Sequence, residues 1–276
     1  MEDYAKIANN ARKKVLEKVH KAGTSHIGSN FSCIDIMAVL FSRINLDKNL
    51  KENRDRFILS KGWVAASLYY FLAEKGIIPK NDLDTYCIGN SKYIGLAEPE
   101  IRGVEMSGGS MGHGLPFALG SAIASKLSKE NLPRQQAGWK TYVLMSDGEL
   151  NCGTTWESAM LASQHKLNNL IVIIDNNGFQ AMGKTKEVID LEPLAEKWKA
   201  FGWNVAKIDG HNYTEIEKAL NGDFTANKEK PSVIIAKTTK GKGVSFFENK
   251  LEWHYKNVDL ENYQKALAEL NNNLNK

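Results

Sequence analysis

The sequence is short of almost everything that would mark a special-purpose scaffold. It has three cysteines, Cys33, Cys87 and Cys152, widely separated and odd in number. No pair has zinc-ligand spacing, so neither a disulfide framework nor a structural zinc is expected, and reduced thiols in a cytoplasmic protein are the default. No run approaches the roughly 20 apolar residues of a membrane span. The first 23 residues carry charges throughout, where a signal peptide would have an apolar centre. The net charge is only +4 and the lysines are scattered, without a basic stripe or interleaved aromatics, which excludes a nucleic-acid surface. Repeats, low-complexity tracts and a Gly-x-x-x-x-Gly-Lys-Ser/Thr loop are all missing. What is there is an ordinary globular composition, 42% hydrophobic and 25% charged over 276 residues. That is enough chain for one large domain over 1–276.

Apolar periodicity organises the chain. Ile7, Ala11, Val15 and Val19 recur every four residues and predict an amphipathic helix over about 4–21. A polar break at Gly23–Gly28 follows, then a helix from about Ser32 to Arg43. Phe57–Ser60 is a short apolar run turning at Lys61-Gly62, and 63–75 is helical again. The region 84–110 has little periodicity and ends in Gly108-Gly109-Ser110-Met111-Gly112-His113-Gly114, followed by a small-residue helix near 115–127. The second half alternates strands (141–145, 170–174, 204–208, 233–236) with helices (154–166, 191–201, 214–221), and a helix over 259–274 closes the chain. The runs LIVII and SVIIA do not alternate polar with apolar, as expected of strands covered on both faces. Together these predict an α/β fold: a doubly wound, mainly parallel sheet flanked by helices.

The chemistry concentrates at two strand ends. Asp147-Gly148 follows the strand at 141–145, and Asn177-Gly178 stands thirty positions later, after the next strand. A right-handed crossover puts both carboxyl ends in one crevice, where open α/β sheets bind ligands. One carboxylate, one amide oxygen and a backbone carbonyl suit a hard cation such as Mg²⁺, with phosphate oxygens completing its shell. The helix beginning after Gly153 adds a weak positive end for a diphosphate. The residues alone give a magnesium-diphosphate site and leave open which diphosphate.

The flanking text is more specific. The stretches KAGTSHIGS (21–29), RDRFILSKG (54–62), GGSMGHG (108–114), SDGELNCGTTWESAMLASQHKLNNLIVIIDNNG (146–178), EKWKAFGWNVAKIDGH (196–211) and KTTKGKGVSFFENKLEWH (237–254) resemble the N-terminal domain of transketolases over nearly the whole chain. The resemblance implies a thiamine diphosphate-binding fold. Asp147, Asn177 and the Phe179 carbonyl would ligate Mg²⁺, or another divalent cation such as Ca²⁺ or Mn²⁺. Gly109, Ser110, Met111, Ser146, Gly148, Glu149, Asn177 and His254 would hold the cofactor. His26 and His254 match family histidines beside the reacting carbon and the diphosphate. Glu157 matches a buried glutamate at the family's subunit interface, in the network linking two active sites, and is counted with His26 and His254 among the catalytic residues. His113 has a backbone-positioning role, and His20, His165 and His211 are structural.

In the family a glutamate on a separate pyrimidine-binding domain activates the cofactor, and no such domain is evident here. The expectation is therefore a C-terminal partner subunit, an α2β2 assembly, and transfer of a two-carbon ketol or acyl unit between small sugar substrates, with neither nucleic acid nor membrane as partner. Four departures bear on substrate. Trp63 and Leu96 stand where the family carries histidines, Ser146 replaces a glycine, and Cys152 replaces a glutamate of the interface network. Trp63 and Leu96 are the specificity candidates, and a non-standard sugar is the expected substrate. The alternatives are a cofactor-binding scaffold or regulatory subunit, an ordinary pentose-phosphate transketolase subunit, and an unrelated magnesium-phosphate protein.

Overall fold

The computed structural model describes residues 3–131 and 138–272; the last positions of the helix read as 259–274 lie outside them. Helix α1 (Tyr4–Ala22) starts at Asp3, whose side chain accepts the Lys6 amide, and stops at Gly23, left-handed at φ 61. Helix α2 runs Ile27–Arg43, one turn earlier than the sequence pattern placed it. From His26 to Ser32 the segment ahead of the expected helix start is buried: Asn30 bonds back to the His26 carbonyl, and Ser32 bonds across to Asp175. Polar residues with dedicated partners occupy core positions there, so periodicity alone missed them.

Strand β1 (Arg56–Leu59) enters a single 3₁₀ turn at Gly62–Val64, and α3 (Ala65–Glu74) follows. After an irregular stretch come α4 (Gly114–Asn131), β2 (Thr141–Ser146), a turn at Gly148–Asn151, α5 (Gly153–Gln164) and β3 (Leu170–Asn176). The remainder is α6 (Thr185–Val188), α7 (Leu194–Ala200), β4 (Asn204–Asp209), α8 (Tyr213–Asn221), β5 (Ser232–Lys237) and α9 (Leu260–Asn272). Helix α7 begins after Pro193 rather than at Leu191, because a residue preceding proline is disfavoured in helical conformation.

The five strands pair in the order β1-β2-β3-β5-β4, all parallel. Their side chains alternate between two cores. Leu144, Ile173 and Ile234 join the large core under α1, α2 and α3, while Val143, Val172 and Val233 join the smaller one with Ala159, Ala162 and Trp198. In β1, β2, β3 and β5 both faces are largely buried, which is why those strands show no polar alternation, whereas the edge strand β4 exposes Lys207 and Asp209. Across the large core, Arg12 and Asp35 form a buried bidentate pair, and Asp35 also accepts from Tyr213 and bonds His211 at 2.7 Å. His211 is thereby structural, as is His20, stacked on Tyr263 at 4.5 Å.

Candidate functional site

The register aligns Ser146 of β2 with Asp175 of β3, so the two strands deliver Asp147 and Asn177 side by side at the carboxyl edge of the sheet. Asp147 is fully buried and does three things at once. Its carboxylate accepts the amides of Gly148 (2.9 Å) and Gly178 (2.7 Å) and the hydroxyl of Thr185 (3.1 Å). Those bonds tie the end of β2 to the loop after β3, closing the crevice predicted from the strand ends. Asn177 donates its amide to Asp175 at 3.2 Å, and its oxygen accepts the Phe179 N–H at 3.0 Å. A carbonyl-type oxygen has two acceptor sites, so one remains for a cation.

Asp175 lies directly beneath. It accepts from Ser32 (2.5 Å), Thr238 and Asn177 and pairs with Lys61. Burial alone would raise its pKa, but the Lys61 charge and these bonds outweigh that and lower it. Lys61 behaves conversely, raised because Asp175 outweighs burial. Asp147 has no such partner: among the described residues no cation pairs with it, and burial plus the Asp175 charge pushes it up to about 6. The Lys61 charge offsets this only in part, so the buried carboxyl is short of counter-charge. Among the described residues there is no group of three His, Cys, Asp or Glu that could hold a metal; the side-chain oxygens brought together here are the Asp147 carboxylate and the Asn177 amide oxygen. That set fits a hard, oxygen-seeking dication. Nearby, the buried Gln180 amide nitrogen and one Glu149 carboxyl oxygen have no partner within the described chain, a pattern that suits a polar ligand bringing its own groups.

The glycine-rich loop sits against this floor. A Cβ on Gly62 would collide with the backbone of Gly108 and Gly109, so the turn after β1 and the loop at 108–114 touch main chain to main chain. Glu149 holds the arrangement, bonded to Ser60 and to the Gly112 amide (2.9 Å). Its carboxyl therefore shapes the loop, and burial raises its pKa. Ser110 is exposed at the loop tip, as is His113, which stands 3.2 Å from the Met111 carbonyl. The Met111 side chain is 59% exposed, and Ser146 is half-buried.

Above the floor, His26 and His254 meet edge to face at 4.9 Å, and the His26 amide donates to the His254 carbonyl at 3.0 Å. Lys240, almost wholly buried, bonds Ser29 (3.1 Å) and faces His254 Nδ1 at 3.0 Å. An ammonium can only donate there, so the proton of His254 sits on Nε2. Burial first, then the charges of Lys240 and Lys61, lower His26 to about 4 and, with His26 added, His254 to about 3. Both imidazoles are neutral hydrogen-bonding groups at neutral pH. Trp63 stacks on His26, and Leu96 packs on Gly109. Glu157 is apart from all this, exposed on α5 with Met160 and Leu161.

Sequence reading missed Lys61, Lys240, Asp175 and Gln180. The two lysines lie inside SKG and TTKGKG, but residue type does not separate a buried lysine from a surface one.

The family described as "Transketolase, thiamine diphosphate binding domain" matches residues 4–273. The chain is similar to one of the subunits of the apulose-4-phosphate transketolase of Phocaeicola vulgatus, 39% identical over 96% of this chain and 92% of that one. It is also similar to a named subunit, SqwG, of the 6-deoxy-6-sulfo-D-fructose transketolase of a Clostridium species, 39% identical over 95% and 94% respectively. Among solved structures, the transketolase of Campylobacter jejuni superposes with a TM-score of 0.91 at 32% identity over 98% of this chain. The chain spans only 43% of that structure. With the buried Asp147, the glycine loop and the paired histidines already in place, these matches show that the chain belongs to the transketolase family.

Proposed function

We propose that this chain is the cofactor-diphosphate half of a two-subunit transketolase that moves a two-carbon ketol unit from a ketose or 2-oxo donor to an aldehyde or keto-sugar acceptor. The observation that carries it is Asp147: a fully buried carboxyl, bonded by two amides and a hydroxyl yet lacking a cation among the described residues, at the sheet edge where a glycine loop converges. Asp147, Asn177 and the Phe179 carbonyl would hold a divalent cation, with Mg²⁺ the best fit to the donors. The loop at Gly109–Met111, with Ser146 and Gly148, would cradle the diphosphate. Thiamine diphosphate, when bound, supplies the electron sink for carbon–carbon cleavage.

The chain's own residues do the rest. His26 and His254, neutral and held by Ser25 and Lys240, present N–H donors toward oxygen atoms of the substrate. Lys240 and Lys61 supply positive potential behind them, where anionic groups need it. Trp63 and Leu96 line the side from which substrate identity is read. The exposed apolar residues Phe117 on α4 and Met160 and Leu161 on α5 lie on the same side of the chain as Glu157. A chain carrying the pyrimidine-binding domain is the occupant that fits, in an α2β2 arrangement. Two relatives named as transketolase subunits support a partner, and their named substrates, an apulose phosphate and a sulfonated deoxyketose, favour a non-standard sugar here too. The described residues contain no helix long and apolar enough to cross a membrane, and a cytoplasmic setting suits sugar phosphates and reduced thiols.

The test is reconstitution. The chain with its partner, Mg²⁺ and thiamine diphosphate should transfer a two-carbon unit from hydroxypyruvate to an aldose, and neither chain by itself should do so. Efficient turnover of xylulose 5-phosphate with ribose 5-phosphate would sink the non-standard substrate. Replacing Leu161 with Lys should leave the chain folded and weaken assembly, read by analytical ultracentrifugation.

A further inference from the structure

Lys240 reaches the site from a stretch of chain with no regular structure of its own. Residues 238–243 follow β5 and belong to neither helix nor strand. Main-chain groups in such a stretch need outside partners, and the flexible stem of a lysine does not by itself place an ammonium. The Lys240 ammonium is nevertheless fixed between Ser29 Oγ (3.1 Å) and His254 Nδ1 (3.0 Å). Burial first, then the Lys61 charge, oppose its own charge there and lower it to about 8. Something other than the side chain must hold it in place.

A buried network centred on Asp35 does so. Arg12 grips both oxygens of that carboxylate, at 2.9 and 2.7 Å, and its Nε donates to the Lys242 carbonyl at 2.9 Å. Tyr213 donates to one carboxylate oxygen at 2.9 Å, and His211 Nδ1 lies 2.7 Å from the other. On its far side, His211 Nε2 lies 2.8 Å from the Thr239 amide nitrogen. Burial would raise Asp35, but Arg12 and His211 outweigh it and hold the carboxyl below the ordinary carboxylate range. An ionised carboxylate only accepts, and an amide N–H only donates. The His211 ring is therefore assigned from both sides: Nδ1 carries a proton, and Nε2 offers its lone pair to Thr239. Arg12 and His211, both anchored on Asp35, clamp the chain at Lys242 and Thr239, on either side of Lys240. Between them the Gly241 amide donates to the Gly28 carbonyl at 2.9 Å.

We propose that His211 is a positioning residue of the site: through the Thr239 amide it sets the main chain that carries Lys240, and with it the contact of the Lys240 ammonium with His254 Nδ1. That contact puts the His254 proton on Nε2, the N–H that the ketol-transfer reading above turns toward substrate, and the inference rests on that reading for its role in catalysis. The tautomer of one imidazole, imposed by Asp35, in this way imposes that of a second.

The experiment reads the ring nitrogens of the full chain by NMR, with ¹⁵N-labelled histidine assigned by substitution. In the wild type His211 should be the Nδ1–H tautomer and His254 the Nε2–H tautomer. In His211→Phe the Lys240 ammonium, 3.0 Å from His254 Nδ1, loses its place. His254 should then mix tautomers and titrate about 1 pH unit or more above its wild-type value of about 3. Lys240→Met should have the same effect directly, and His211→Gln, whose amide both donates and accepts, should bring the titration back toward wild type. The other groups facing His254, namely His26, Lys61 and Tyr255, are the same in every variant. An Nε2–H tautomer for His211 in the wild type overturns the proposal without any variant having to fold. So does a His254 titration that stays put in His211→Phe or in Lys240→Met. In the reconstituted complex with hydroxypyruvate as donor, each of these two variants should lower kcat by on the order of 100-fold. The double variant should be no slower than Lys240→Met alone, since residues acting as a unit are not additive. Effects that multiply mean that His211 acts independently of Lys240, which overturns the proposal. A wild-type complex that transfers nothing sinks the ketol-transfer reading, while the ring titrations still decide whether His211 places Lys240.

Discussion

The floor of the pocket and its wall are built on opposite principles. The floor, Asp147, Asp175, Lys61 and Asn177, is buried and held by hydrogen bonds contributed from α2, β3, the turn after β1 and the segment after β5. The wall, Trp63 and Leu96, is apolar and partly open. Each floor residue has partners that would be stranded by its loss, while each wall residue has only surface to lose. A floor so constrained has little freedom to vary, and the wall can change at small cost to the fold. The proposed substrate-reading side thus sits where change is cheap.

The strongest way to break that contrast is at Asp175. Asp175→Asn leaves Lys61, nearly wholly buried, without its anion. Breaking a buried pair from one side costs roughly 3–5 kcal/mol, to be read as a drop in the urea midpoint. Adding Lys61→Met should recover most of it, since replacing both partners removes the stranded charge. A loss below about 1 kcal/mol in the single variant, the range of an exposed pair, would show that the floor is no more constrained than the wall. Next in size is Asp147→Asn, which removes the carboxylate from the proposed cation set. Changes one shell further out in metal sites typically cost 10- to 100-fold in affinity, so a loss of at least about 100-fold in Mg²⁺ affinity, by calorimetry with thiamine diphosphate, is expected here. On the wall, Leu96→Ala should lower stability by only about 1 kcal/mol, because a half-buried leucine loses part of the area that a core leucine would.

The same contrast explains what could be read from sequence. The central strands were legible because two-sided burial leaves an unbroken apolar run, and the Asp147/Asn177 pair because it follows two such runs at a crossover spacing. The start of α2 was not, since Asn30 and Ser32 are polar residues serving as core through hydrogen bonds, in Ser32's case to a group distant in sequence. Lys61 and Lys240 were hidden for a related reason: only the fold says that a lysine is buried. Trp63 and Leu96 were visible as departures from a family pattern, but that one stacks on His26 and the other packs on Gly109 is a three-dimensional fact. The two histidines stood out in the sequence through the resemblance, whereas their neutrality did not, because it comes from burial and from lysines on other segments.

That neutrality gives the smallest and most diagnostic effect. His26 and His254 titrate in the folded chain near 4 and 3, below the ordinary 6.5. Between those values the unfolded chain binds protons that the folded chain refuses. Their contribution is thus complete above pH 6.5 and is lost as pH falls through about 4 and then about 3. Asp147 opposes them. Its carboxyl, raised to about 6, holds a proton in the folded chain that the unfolded chain has released, so its contribution is present at low pH and fades as pH rises through about 6. From about pH 6 to 4 the two histidines act together with the lowered carboxyls of Glu17, Asp35 and Asp175 against the raised Asp147 and Glu149, and the urea midpoint of the metal-free chain should decline gently on acidification. Saturating Mg²⁺ with thiamine diphosphate keeps Asp147 ionised, removes its opposing contribution and should steepen the decline. His26→Gln should flatten it in both conditions. A midpoint that climbs across the same range in the wild type would mean that the histidines are protonated in the fold, and that the wall beside them faces a charged ring.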